Sequence, residues 1–127
     1  MSKTLKLTVN KTWFDMFKAG IKKEEYRELK QYWINRLCKK HPMSVIAGGD
    51  FMSKHTRQQF DFLNFDFVEL TNGYSKKSPQ LTFEFKGTRI DNDYNMDWGG
   101  HLMCDEEGSK NHCFIISVGR EVGRLNC

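Results

Sequence analysis

Gly20-Ile21-Lys22-Lys23-Glu24-Glu25-Tyr26-Arg27 can continue a helix or open a strand, and the architecture turns on which it does. Propensity alone lets the charged run from Lys22 to Leu29 continue a helix, because Lys, Glu and Arg are good helix formers. Gly20 argues for a break. It stands where a C-cap glycine belongs, after Trp13-Phe14-Asp15-Met16-Phe17-Lys18-Ala19, whose Trp13, Phe14, Met16 and Phe17 fit a short amphipathic helix with Thr12 as its N-cap. The residues after the glycine therefore read as a strand. On a strand Glu25 and Arg27 point to the same face, with Lys22 at its start, so a carboxylate lies between two cations.

Working outward, Leu5-Lys6-Leu7-Thr8-Val9 alternates apolar and polar residues and reads as a half-buried strand. Gln31 to Leu37 places Trp33, Ile34 and Leu37 at helical spacing, with the Pro42 region ending the helix. Residues 43 to 63 read as a loop with one short element. In the second half three runs have strand character: Phe65 to Leu70, Leu81 to Phe85 with Lys86-Gly87 following, and Phe114 to Val118. Asn72-Gly73 is a turn signal between the first two, and Ser78-Pro79 starts the next strand. Thr88 to His112 is polar and reads as a long excursion from the sheet. A few strands, short helices and long connections make a small α+β or barrel-like domain.

A chain of 127 residues suits one domain, taken here as 1–127. Its 39% apolar and 28% charged residues give material for a core without the charge excess of a disordered chain. No segment has the roughly 18 to 20 apolar residues that cross a bilayer, and Met1 to Leu5 does not resemble a signal peptide. A cytoplasmic protein with no membrane partner is expected, in which Cys38, Cys104, Cys113 and Cys127 stay thiols. The net charge of +4 is uneven, since residues 1 to 63 carry 13 Lys/Arg against 6 Asp/Glu and the rest 7 against 10. Clustered cations of this kind suit an anionic partner or a solvated basic face.

The motif G-x-K-x-x-E-x-R directly after the first helix resembles the ASCH family. So do the Tyr32-Trp33-x-x-Arg36-Leu37 block, Phe67-Val68-Glu69-x-x-Asn72-Gly73-Tyr74 and the closing Ile115-Ile116-Ser117-Val118-Gly119 strand. The resemblance covers most of the chain and is weakest at 43 to 63 and 91 to 112. It implies a small PUA-like β-barrel with short helices packed at its ends, the motif strand lining a cleft. It also implies links to RNA recognition and RNA-related hydrolysis. Relatives that hydrolyse acylated nucleosides are similar at the lysine but carry threonine where this chain has Glu25, and a glutamate does not replace a hydroxyl nucleophile.

Three functions compete. In the favoured one, a basic cleft floored by Lys22, Glu25 and Arg27 binds a nucleotide or nucleic acid, RNA ahead of DNA. Lys22, Lys23, Arg27 and Arg36 would face phosphate or base edges, with Tyr26, Tyr32 and Tyr74 beside the base. Trp33, at helical spacing with Ile34, is the poorer stacking platform. In the second, Lys22 and Glu25 are the acid/base pair of a ribonuclease or amidohydrolase. In the third, the loops at 43 to 63 and 88 to 112 of a small regulatory or phage-encoded factor contact a protein partner. The structural alternative to all three is a Glu25–Arg27 or Glu25–Lys22 ion pair at the barrel mouth.

No cofactor signature is present. Cys38-x-x-His41, His101-x-x-Cys104 and His112-Cys113 contain zinc-type ligands but not the repeated Cys-x-x-Cys of a firm site, so no metal is expected. Asp91, Asp93, Asn95 and Asp97 lack the glycine and closing glutamate of a calcium loop and read as a solvated turn. Lys39-Lys40-His41 and Lys54-His55-Thr56-Arg57 are basic clusters able to track a phosphate backbone.

Overall fold

In the computed structural model, which describes residues 2–39, 61–100 and 112–127, the chain is mixed α+β. Along it run β1 (Thr4–Thr8), α1 (Lys11–Lys18), β2 (Glu24–Arg27), α2 (Gln31–Leu37), β3 (Phe67–Thr71), β4 (Gln80–Asp91), a 3-10 turn at Met96–Trp98 and β5 (Cys113–Leu125). The strands form a five-stranded sheet in the order β1-β3-β4-β5-β2. The chain divides into two compact units: Met1–Glu24 with Asn64–Gly87 and Ser117–Cys127, and Glu25–Leu63 with Thr88–Ile116.

In the first unit the period-2 pattern of β1 buries Leu5 and Leu7 and leaves Lys6 outside. β1 runs parallel to β3, pairing Leu5 with Val68 and Leu7 with Leu70. β3 runs antiparallel to β4, pairing Val68 with Phe83 and Leu70 with Leu81. The register therefore stacks two apolar rows across three strands, and a one-residue slip would turn both rows to the opposite face. Hydrogen bonds fasten both ends of the β1–β3 pair: the Asp66 N–H donates to the Lys3 carbonyl at 2.8 Å and the Val9 N–H to the Thr71 carbonyl at 2.9 Å.

α1 packs its apolar stripe inward, burying Phe14 and Phe17, with the Phe17 ring 5.7 Å from that of Phe83 on β4. Its N-cap is Asn10, not Thr12, and the Asn10 side-chain Oδ1 accepts the Trp13 N–H at 3.0 Å. Asn is the stronger cap, and it moves Thr12 into the first turn. At the far end Gly20 adopts φ +78, the Gly20 N–H donates to the Phe17 carbonyl and the Ile21 N–H to the Met16 carbonyl. This pair of bonds is a Schellman closure, and it redirects the chain out of the helix into β2.

In the second unit α2 covers the expected residues and buries Ile34 and Leu37. It ends ahead of Pro42: Cys38 is already extended and bridges Phe62, and the Leu63 N–H donates to the Leu37 carbonyl. Tyr26, Cys113 and Ile115 form a core cluster, with Tyr94 and Trp98 against it. The Phe62 and Phe114 rings meet edge to face at 6.3 Å.

Both late strands outrun their sequence signals. β4 does not stop at Lys86-Gly87, because Gly87 takes φ +126 within the strand and pairing continues to Asp91. β5 continues through Gly119, Gly123 and their charged neighbours to Leu125. The excursion therefore starts after Asp91, and its acidic residues serve local turns. Asp93 pairs with Arg89 at 3.0 Å, and the Asn95 side chain accepts the Asp97 N–H. Asn72-Gly73 opens a longer connection, which closes where the Asn72 N–H donates to the Pro79 carbonyl. Of the loops expected at 43 to 63 and 88 to 112, residues 43 to 60 and 101 to 111 lie outside the described residues, as do Lys40 and His41 and, within the first loop, Lys54 to Arg57. Among the described residues no helix is long and apolar enough to cross a membrane.

Gly20 has no atom within 4 Å of an added Cβ, so its substitution tests backbone conformation alone. Gly20→Ala should lower the unfolding free energy by about 1–2 kcal/mol in urea titrations, and Gly20→Asn by less.

Candidate functional site

The Schellman turn sets the first half of the motif. With the chain reversed at Gly20, Lys22 folds back over α1, its ammonium 4.5 Å from the centre of the Trp13 ring and 5.4 Å from that of Phe17. The residue is 2% exposed. Contact with aromatic faces offsets part of the cost of taking the ammonium out of water. The Lys23 carbonyl then accepts the Val118 N–H at 3.0 Å, which joins the turn to β5.

Beside this turn lies a cavity of about 200 Å³ lined by Lys18, Lys22, Lys23 and Arg120 together with Phe17, Phe83, Val118 and Glu121. Its apolar floor comes from the α1–β4 core, and its rim is cationic. Arg120 is set in place through its backbone, whose N–H donates to Glu84 Oε1 at 3.0 Å. That bond, with the charges of Lys86 and Arg120, holds the Glu84 carboxyl below the usual carboxylate range. Gly119 permits the arrangement, because a Cβ there would come within 2.5 Å of the Lys86 side chain and 3.0 Å of Glu84 Oε1. The acid on the rim, Glu121, is engaged by the Arg124 guanidinium through two hydrogen bonds.

The other half of the motif is in the second unit. Arg27 Nη1 lies 2.9 Å from Glu25 Oε2, and both side chains are buried. Of the three residues expected as a cleft floor, Lys22 lines the cavity of the first unit, and Glu25 and Arg27 are in contact with each other in the second. The alternation that put them on one face of the strand is what brings them into contact. Arg27 also lies over the Trp33 ring at 5.0 Å, and Arg36 over the same ring at 5.2 Å and over Tyr32 at 5.8 Å. Trp33 is half-buried between cations, which accounts for a large aromatic that is neither core nor platform.

The tyrosines separate by burial. Tyr26 is 1% exposed, with its hydroxyl accepting the Asn95 N–H at 2.9 Å and its ring edge-on to Tyr94, so its expected place beside a base is corrected to a core role. Tyr32 is 60% exposed on α2, and Tyr74 is 95% exposed on the β3–β4 connection near Lys76 and Lys77. Sequence reasoning named Lys22 and Lys23 but missed Lys18 and Arg120. Lys18 is the last residue of α1 and had a pattern that pointed to it, whereas nothing in the glycine-rich run around Arg120 did.

Among the described residues no three His, Cys, Asp or Glu side chains gather as a metal site. Burial, reinforced by the Asp61 carboxylate, pushes the Cys38 thiol up to about 12, which makes it a poor ligand and a poor nucleophile. Cys127 is exposed.

Two outcomes are expected. In urea unfolding, Glu25→Gln or Arg27→Met should each cost about 3–5 kcal/mol by taking the opposite charge from a buried ion, and the double replacement with Met should recover most of it. In native-state alkylation followed by peptide mass mapping, Cys127 should be labelled roughly a hundredfold faster than Cys38.

Scans of the chain against protein-family models, curated proteins and solved structures find no match.

Proposed function

We propose that the protein is a nucleotide- or nucleic-acid-binding module, RNA ahead of DNA, built on a PUA-like β-barrel of the ASCH type. The observation that carries the reading is the cavity beside Gly20, where Lys18, Lys22, Lys23 and Arg120 surround a floor of Phe17, Phe83 and Val118. Cations around an apolar base are the combination a phosphate attached to a sugar and base requires. The cations attract and orient the anion, and the floor excludes the water that would screen them. Arg120 brings a planar fork able to hold two phosphate oxygens at once, and the lysines act as point charges.

The motif supports the same reading through its position after α1. Its glycine turn delivers Lys22 and Lys23 to the cavity, and its Glu25–Arg27 pair gives the strand a buried polar anchor. Exposed Tyr32, beside Arg36, and exposed Tyr74 are the rings available to a base at the surface. Glu25, buried against Arg27, is given to structure and not to proton transfer, so the binding reading is preferred over the hydrolytic one.

Fluorescence anisotropy with short RNA and DNA strands over a salt series tests this. Wild-type binding should weaken as salt rises, and Lys23→Ala and Arg120→Ala, both at exposed positions, should each lower the salt slope by about one unit. Variants that bind like the wild type at every salt concentration would remove the cavity from the function.

A further inference from the structure

Resting on that reading, we infer that the cavity beside Gly20 is an end-recognition site, taking the terminal phosphomonoester of a nucleotide or oligonucleotide in preference to the internal phosphodiesters of a strand. Size is the first argument. The cavity holds about 200 Å³, less than the roughly 300 Å³ at which pockets for whole small molecules begin. A phosphate with part of its sugar fits that space, whereas an internal linkage brings a nucleoside on each side of the phosphate and needs more room than about 200 Å³.

Charge is the second argument. Lys18, Lys22, Lys23 and Arg120 face the space, and the acid on the rim, Glu121, is already engaged by Arg124. A terminal phosphate carries about −1.5 to −2 at pH 7, whereas each internal phosphate carries a single negative charge. A surplus of cations around one small volume is matched by the more highly charged group.

Preorganisation is the third. Lys22 is 2% exposed and fixed over Trp13 and Phe17, so its charge is held in place and poorly screened by solvent. The Arg120 backbone N–H is held by Glu84, which fixes where its side chain leaves the strand. Donors that need little ordering on binding retain more of their interaction energy as affinity.

The test uses the full chain and one single-stranded oligoribonucleotide, fluorescein-labelled at one end, with a phosphate or a hydroxyl at the other, in both polarities. Anisotropy titrations should show the phosphorylated strand of at least one polarity binding about tenfold tighter than its hydroxyl counterpart. Arg120→Ala and Lys23→Ala should shrink that ratio towards one, and AMP should compete where adenosine does not. Equal affinity with and without the terminal phosphate in both polarities, with binding still sensitive to salt and to Arg120→Ala, overturns end recognition and leaves nucleic-acid binding standing. Absence of binding by every strand and by AMP overturns both.

Discussion

A single backbone conformation governs the arrangement: the left-handed φ of +78 at Gly20. Side chains with a Cβ resist that conformation, and the two hydrogen bonds closing α1 depend on it. Because the helix stops there, Lys22 returns over Trp13 instead of following Lys18 along the helix, and the Lys23 carbonyl comes to β5. The same reversal makes Glu24–Arg27 a strand, and only as a strand do Glu25 and Arg27 share a face. Extending α1 through the motif would dissolve both the cationic cavity and the ion pair.

Placing charged side chains in an interior carries an energetic penalty that each must offset locally. Lys22 has aromatic faces beneath it, Glu25 and Arg27 have each other, and Arg27 has Trp33 as well. These are different solutions with different consequences. Rings stabilise a cation without cancelling its charge, whereas a carboxylate and guanidinium in contact largely cancel. The motif therefore divides, with Lys22 and Lys23 lining the cavity and Glu25 and Arg27 joined in an ion pair.

The parts of this arrangement legible from sequence were those set by local chemistry. Gly20 marked the end of α1, the alternation of β1 marked its buried face, and Trp33, Ile34 and Leu37 marked α2 to the residue. What escaped was decided by neighbours distant along the chain. Tyr26 looked like an exposed ring because alternation does not say whether the second face of a strand is also covered, and here Tyr94, Cys113 and Ile115 cover it. β4 and β5 seemed to end at glycines and charges, since a residue with no strand preference still pairs when its partner strand continues. Arg120 went unnoticed for that reason: its place on the cavity comes from Gly119 and Glu84, a relation between strands and not within one.

The parallel pairing of β1 with β3 sets a timetable for the chain. Thr4 finds its partner in Phe67 and Thr8 in Thr71, so strand one must wait until β3 has been made before it can be hydrogen-bonded at that edge. Contacts of such long sequence separation slow folding, because the chain between them loses freedom before the contact repays it. The penalty for lengthening that intervening chain rises only logarithmically, so insertions between α2 and β3 are tolerated thermodynamically. A strand made well before its partner is thus among the last to be locked, and its apolar Leu5 and Leu7 are what a nascent chain must keep from other partners meanwhile.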